Sequence, residues 1–75
     1  MEKNKTIASE TLTEKTEIRF TLDNVGGKEL AQIRVWFKTE SGEFVPTRKG
    51  VAFPRTKIQG IALGVTKLLN EIQGD

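Results

Sequence analysis

The chain has 75 residues, and 12 Lys and Arg against 10 Asp and Glu give it a formal net charge of +2. It contains neither cysteine nor histidine, which excludes disulfides and thiolate metal sites and removes the commonest general base. So short a chain buries little of its surface. We therefore expect one small non-enzymatic domain without metal or cofactor, which gains stability by oligomerisation.

The N-terminal third predicts a tail, a strand and a turn. Residues 1–10 are mostly polar and predict a flexible tail. Residues 11–23 predict the first strand, because Ile18, Phe20 and Leu22 alternate with polar residues. Asn-Val-Gly-Gly at residues 24–27 tolerates positive φ and predicts a reversal of the chain.

The second predicted strand, residues 28–38, has two unlike faces. Successive side chains of a strand point to opposite faces. Trp36 between Arg34 and Lys38 offers a flat ring beside two phosphate partners, the chemistry of single-stranded nucleic-acid binding. A structural role is the alternative, with the two basic side chains laying their aliphatic stems over a core tryptophan. One face of this strand is apolar and consists of Ala31, Ile33, Val35 and Phe37. The other face is mainly polar and cationic and consists of Gln32, Arg34, Trp36 and Lys38.

The remaining strands are short. Residues 39–42 predict a hairpin loop, and residues 43–47 predict a third strand whose Pro46 belongs at an edge or a bulge. Residues 48–50, Arg-Lys-Gly, predict another reversal, and residues 51–53 predict a fourth strand. The predicted fold class is therefore α+β: a four-stranded antiparallel meander sheet followed by one C-terminal helix.

After Pro54 the apolar period changes from two to 3.6 and predicts one amphipathic helix ending near Gly74. Gly60 and Gly64 each lower helix stability by about 1 kcal/mol relative to alanine. Two such residues in a helix interior indicate a packing reason, namely close approach of the chain's own sheet or of a partner helix. One thin sheet cannot cover the apolar stripe, so we expect a homodimer formed through the helices. The predicted interface residues are Ile58, Ile61, Ala62, Val65, Leu68 and Leu69.

Positive charge is concentrated in the centre of the chain. Residues 28–57 carry seven basic and three acidic residues, a net +4, whereas the remaining residues sum to −2. A positive centre with acidic flanks is typical of a protein that follows a phosphate backbone. Mixed charge on an ordinary solvated surface is the alternative interpretation.

Residues 42–51, GEFVPTRKGV, resemble the G-E-x-x-P-x-R-K-G-[IV] signature of the positive cofactor four family of transcriptional coactivators. The Gly27-Lys28 turn, the Ile33-Arg34 pair and the Trp36-Phe37 pair fall at that family's spacing, and the resemblance extends from residue 12 to the C-terminus. It implies a single-stranded DNA-binding domain over residues 11–75, in which two copies pair through their helices and form antiparallel grooves. The polar tail lacks the serine-rich acidic regulatory segment of the eukaryotic coactivator, so we expect a compact bacterial or viral member at least as readily as a transcription factor.

The resemblance also assigns roles. Lys28, Arg34 and Lys49 match basic positions that contact the DNA backbone, and Arg48 is the adjacent basic position. Phe37 matches the family's stacking tryptophan, whereas strand alternation places Trp36 with Arg34; a bulge in this strand would reconcile the two, and both rings remain candidates. The predicted nucleic-acid-binding residues are Arg19, Lys28, Arg34, Trp36, Phe37, Lys38, Arg48 and Lys49.

Two departures from the family pattern weaken one edge of the expected groove. Val25 stands where the family often has a stacking aromatic residue, and Asp23 stands near a usually basic position. We therefore expect weaker contacts with DNA at this end of the first hairpin.

The leading functional hypothesis is a homodimeric, largely sequence-independent single-stranded DNA-binding protein. It would act on unpaired DNA in transcription, replication, recombination or repair, inside the cell at the nucleoid or nucleus and without a membrane. The alternative is an adaptor that docks on a polymerase or a recombination protein through the acidic residues Glu10, Glu14 and Glu17, with DNA contact secondary.

Overall fold

Four antiparallel strands and one helix make up the chain in a computed structural model that describes residues 4–74. The strands pair in the order β1-β2-β3-β4, each with its neighbour in sequence. This meander confirms the predicted fold class. The elements are β1 (Asn4–Thr11), β2 (Thr16–Val25), β3 (Lys28–Lys38), β4 (Phe44–Pro54), a 3₁₀ turn (Arg55–Lys57) and α1 (Ile58–Gln73).

Two of the three predicted glycine-containing turns are present. Gly26 and Gly27 adopt φ of 59° and 82° and join β2 to β3 as a two-residue hairpin turn, where both central residues need positive φ. In the β3–β4 loop, the Thr39 amide donates to the Glu43 carbonyl at 2.7 Å, and Gly42 has a φ of 92°. These turns fix the register of the three strands that carry the candidate site.

The segment predicted as a flexible tail forms β1 instead. Residues 1–3 of that segment lie outside the described residues, but the chain from Asn4 onward pairs with β2, for example Thr6 with Thr21 and Ser9 with Arg19. Side chains from Lys5 to Thr11 are exposed. The strand is therefore held by backbone pairing at the sheet edge, which needs no apolar side chains and leaves no hydrophobic signal in the sequence.

The third and fourth predicted strands form one continuous strand, so the expected reversal at Arg48-Lys49-Gly50 is wrong. Arg34 pairs with Gly50 and Trp36 pairs with Pro46, which leaves residues 47–49 of β4 opposite the single residue Val35. The extra residues form a bulge within β4. Pairing between β2 and β3 is regular throughout, so the bulge expected in β3 lies in the neighbouring strand.

Side chains of β3 and β4 hold the β4 bulge. Arg34 Nη1 donates to the Thr47 carbonyl at 3.0 Å. The Thr47 hydroxyl donates to the Val35 carbonyl at 2.7 Å and accepts from the Lys49 amide at 3.2 Å. The bulge is thus a defined feature of the fold, as bulges near functional sites commonly are.

Directly paired residues of antiparallel strands share a face of the sheet, so the register defines two faces. The apolar face, as we use the term, consists of Ile18, Phe20, Leu22, Ala31, Ile33, Val35, Phe37, Val45, Val51 and Phe53. The polar face consists of Glu17, Arg19, Thr21, Asp23, Gln32, Arg34, Trp36, Lys38, Phe44 and Pro46. On the apolar face only Ala31 is buried, while Phe37 is 43% and Val51 56% exposed.

Helix α1 leaves its apolar stripe uncovered within one chain. Near its start, Arg55 Nη1 lies 2.6 Å from Glu29 Oε1, which ties the 3₁₀ turn to β3. No residue of α1 is buried. A Cβ placed on Gly60 or Gly64 would meet no atom within 4 Å beyond the neighbouring helix backbone, so the chain's own sheet does not approach them. Among residues 4–74, no helix has the length and apolarity needed to cross a bilayer.

Candidate nucleic-acid interface

The centre of the polar face is a stack of two aromatic rings and one guanidinium group from three strands. The guanidinium carbon of Arg19 on β2 lies 4.4 Å from the ring centroid of Trp36 on β3 and 5.2 Å from that of Phe44 on β4. Glu17 Oε2 accepts a hydrogen bond from Arg19 Nε at 2.5 Å. We call Glu17, Arg19, Trp36 and Phe44 the ring–guanidinium stack.

Arg34 lies beside this stack and is held by several hydrogen bonds. Its Nε and Nη2 donate to Gln32 Oε1 at 3.2 and 3.0 Å, and its Nη1 reaches the Thr47 carbonyl. Gln32 Nε2 in turn donates to a carboxylate oxygen of Asp23. Asp23 and Thr21 are 7% and 5% exposed. This partly buried polar network, with Asp23 at its buried end, fixes the Arg34 guanidinium in place and connects it to the β4 bulge.

A groove runs between Trp36 and the bulge. Its lining combines one aromatic ring, two guanidinium groups and small polar or proline side chains, without an acidic residue. Arg48, which the bulge projects from β4, is exposed, and so is Lys49. The groove is lined by Thr21, Gln32, Arg34, Trp36, Pro46, Thr47 and Arg48.

The structure brings some of the predicted binding residues together and separates others. Arg19, Arg34, Trp36 and Arg48 surround one surface of the polar face. Phe37 points to the apolar face, opposite Trp36, as strand alternation predicts and as the family position does not. The remaining predicted residues lie at the edges: Lys28 after the first hairpin turn, Lys38 at the end of β3, and Lys49 in the bulge.

Two contacts in the ring–guanidinium stack were not found by sequence reasoning. The cation over Trp36 is Arg19 from the neighbouring strand, instead of the sequence neighbours Arg34 and Lys38. Phe44 was not among the predicted residues. The signal that could have found both is the register of the hairpins, which sets Trp36 opposite Glu17 and Phe44 opposite Lys38.

The predicted dimer-interface residues lie together along α1, and all are exposed. Ile58, the first of them, also lines a hollow on the apolar face with Phe20, Leu22 and Ile33. The apolar surface of the helix therefore continues onto the apolar face of the sheet. Surface of this extent is unusual on a soluble monomer and commonly marks a protein interface.

The residues of the polar face suit one kind of ligand. A flat ring accepts the face of a nucleobase, and guanidinium groups donate to phosphate oxygens with planar geometry. Arg34 is fixed before any ligand arrives, whereas the exposed Arg48 and Lys49 can follow a flexible backbone. The arrangement is therefore able to bind a phosphate-linked chain whose bases are accessible.

Comparison with known proteins gives a consistent assignment. Residues 12–64 match the family model described as Transcriptional Coactivator p15 (PC4). The fold is similar to that of a PC4 homolog from Burkholderia pseudomallei, with a TM-score of 0.86, 25% identity and coverage of 91% of this chain and 92% of that one. A second crystal form of that homolog gives a TM-score of 0.82 at 24% identity, covering 88% and 97% of the two chains.

A phage protein has the same fold. The bacteriophage T5 homolog of the eukaryotic transcription coactivator PC4, implicated in recombination-dependent DNA replication, gives a TM-score of 0.67 at 24% identity, covering 96% of this chain and 81% of that one. A search of curated proteins gives no significant match. The family match covers more than half of the chain, and so the chain belongs to the Transcriptional Coactivator p15 (PC4) family of DNA-binding coactivators.

Proposed function

We propose that this protein binds single-stranded DNA through the polar face of its sheet. The observation that carries the proposal is the position of Trp36: its ring lies among Arg19, Arg34 and Arg48 on one side of the sheet. Membership of a family of DNA-binding coactivators supports the same conclusion. Bases would stack on the ring while Arg34 and Arg48 beside it contact phosphates.

Preference for single strands follows from the geometry of stacking. In a duplex, each base face is already covered by its neighbours, so a ring can stack only on a base that has left the helix. Stacking contributes about 1–3 kcal/mol per base and tolerates any sequence, because every base has a π-face. We therefore propose largely sequence-independent binding, with Lys28, Lys38 and Lys49 extending the path of the backbone beyond the groove.

Self-association completes the proposed function. A single chain is flat, with extents of 42 × 34 × 18 Å, and it covers neither its apolar face nor the stripe of α1. A second copy supplies a surface of matching chemistry, and a twofold arrangement buries both stripes at once. In the proposed homodimer, two polar faces remain open, one on each sheet, for two single strands.

The process served by the protein is proposed from the comparisons. The phage T5 homolog is implicated in recombination-dependent DNA replication, a process in which unpaired DNA is exposed. We propose that this chain likewise acts on unpaired DNA, in replication, recombination or transcription. The adaptor alternative is less favoured, because Glu17 is paired with Arg19 and lies on the polar face among the arginines.

Fluorescence provides the direct test, because Trp36 is the only tryptophan and the chain has no tyrosine. We expect a single-stranded oligonucleotide of mixed sequence to quench Trp36 emission and to bind at least tenfold more tightly than the matching duplex. The affinity for an RNA strand of the same sequence measures whether the protein prefers deoxyribose or ribose in the backbone. Equal affinity for duplex and single strand, or binding that leaves Trp36 emission unchanged, would contradict the proposal.

A further inference from the structure

Arg19 differs from the other cations of the polar face in how it is held. Its guanidinium lies over the rings of both Trp36 and Phe44, and its Nε donates to Glu17. The side chains of Arg19 and Glu17 are only 24% and 16% exposed. Arg48, by contrast, is exposed at the bulge. The two arginines are therefore suited to different roles, although sequence reasoning assigned both to DNA contact.

The charge of Arg19 is already balanced. A hydrogen-bonded carboxylate at 2.5 Å neutralises the guanidinium locally. A phosphate approaching Arg19 would also approach Glu17, and the repulsion from that carboxylate would offset much of the attraction. Binding of a DNA backbone would thus release few counterions at this position.

The two sides of the Trp36 ring have different environments. The Arg19 guanidinium lies over the Trp36 ring at 4.4 Å and also over the Phe44 ring at 5.2 Å. Trp36 also lines the groove with Arg34 and Arg48, and neither Arg19 nor Phe44 lines that groove. A ring has two faces, so the guanidinium leaves the groove side as the surface on which a base can stack.

We propose that Arg19 is a positioning residue: held by Glu17 over the rings of Trp36 and Phe44, it orients the Trp36 ring so that a nucleobase stacks from the groove side, and it contacts no phosphate. This inference rests on the proposed binding of single-stranded DNA. Planarity is essential to the role, because a guanidinium stacks flat on a ring whereas a lysine ammonium is a compact point charge on a flexible stem. Phe44 acts as the second support of the guanidinium.

The test uses Arg19→Lys and Arg19→Gln in the full chain, titrated with a labelled oligothymidylate at several salt concentrations. Because the two variants both lose the guanidinium, we expect both to bind roughly three- to tenfold more weakly. Arg19→Lys keeps the charge that balances Glu17 and should leave the dependence of log affinity on log salt unchanged. Steady-state anisotropy of Trp36 in the free protein should fall, since the ring gains freedom. The control Arg48→Gln should lower the salt slope by about 0.7 and leave the anisotropy unchanged.

Two results would overturn the inference. One is wild-type affinity for Arg19→Lys together with a salt slope reduced by about 0.7 for Arg19→Gln, which would make Arg19 a phosphate contact. The other is unchanged Trp36 anisotropy in both variants. If the wild-type protein does not bind single strands, the proposed function fails, while the anisotropy comparison still decides whether Arg19 positions the ring.

Phe44→Leu provides a second route should the Arg19 variants unfold. It removes one support of the guanidinium and keeps the contacts of Arg19 with Trp36 and Glu17. We expect weaker binding of the oligothymidylate with an unchanged salt slope and a smaller fall in Trp36 anisotropy than with Arg19→Lys. Wild-type affinity and anisotropy in a folded Phe44→Leu protein would count against the inference.

Discussion

Gly50 lies directly against Arg34 where β4 leaves its bulge. A Cβ at Gly50 would be 2.6 Å from the Arg34 Cα and 2.6 Å from the Ile33 carbonyl oxygen, and Gly50 has a φ of 157°. The close approach brings the backbone of β4 back into register with β3 after the extra residues. It therefore determines where Arg48 and Lys49 leave the sheet.

We predict that Gly50→Ala destabilises the fold by about 3 kcal/mol or more, because the added methyl group meets rigid backbone atoms of β3 as well as an unfavourable φ. Gly42→Ala is the matched control: Gly42 also has positive φ, at 92°, but a Cβ there meets nothing within 4 Å. It should cost about 1–2 kcal/mol. Urea unfolding at one protein concentration measures both, and equal destabilisation would contradict the steric explanation.

Much of the fold could be predicted because its signals are local. The glycine pair at residues 26–27 specifies a two-residue turn, and the switch of apolar period after Pro54 specifies α1. β1 could not be predicted, because its exposed side chains carry no pattern and its stability comes from backbone pairing with β2. A strand of this kind can be predicted only when the position of its partner strand is known.

The site was predicted less completely, for a related reason. The bulge at residues 47–49 depends on Thr47 and Arg34, which are far apart in sequence, and an Arg-Lys-Gly run equally fits a turn. Strand alternation correctly placed Trp36 with Arg34 on one face. The contact between Arg19 and Trp36 required the exact pairing of β2 with β3, which short-range patterns do not determine.

Replacing the two neighbouring aromatic residues separately distinguishes the faces of the sheet. We predict that Trp36→Leu weakens binding of single-stranded DNA by about 1–3 kcal/mol, because it removes the stacking ring of the polar face. Phe37→Leu should bind within a factor of about two of wild type, since a change of 0.4 kcal/mol or less is expected on the opposite face. Anisotropy of a labelled oligonucleotide measures both affinities.

The oligomeric state of each variant must be controlled in this comparison. Phe37 lies on the apolar face that the proposed dimer covers, so Phe37→Leu can change self-association as well as DNA binding. Affinities are therefore compared at protein concentrations where sedimentation shows each variant in the same oligomeric state. Loss of DNA binding in Phe37→Leu, with Trp36→Leu unaffected, would assign the stacking ring to the family position instead.

The exposed cations at the bulge should account for part of the salt dependence. We predict that Lys49→Gln lowers the slope of log affinity against log salt by about 0.7, the value for one phosphate contact on a single strand. Lys67→Gln makes the same change in net charge on α1, away from the polar face, and should leave the slope unchanged. A similar effect of both substitutions on the slope would indicate that overall charge, and no local contact, governs binding.

The apolar stripe of α1 should control the oligomeric state. We predict that the wild-type protein sediments with twice the chain mass of 8.4 kDa and that Leu68→Glu sediments as a monomer. Leu68 is 61% exposed in one chain, so glutamate costs little there, whereas a twofold interface would bury two uncompensated carboxylates. Lys67→Glu, on the polar side of the same helix, should remain dimeric. A wild-type protein that stays monomeric at every concentration, or a dimeric Leu68→Glu, would exclude this helix stripe as the interface.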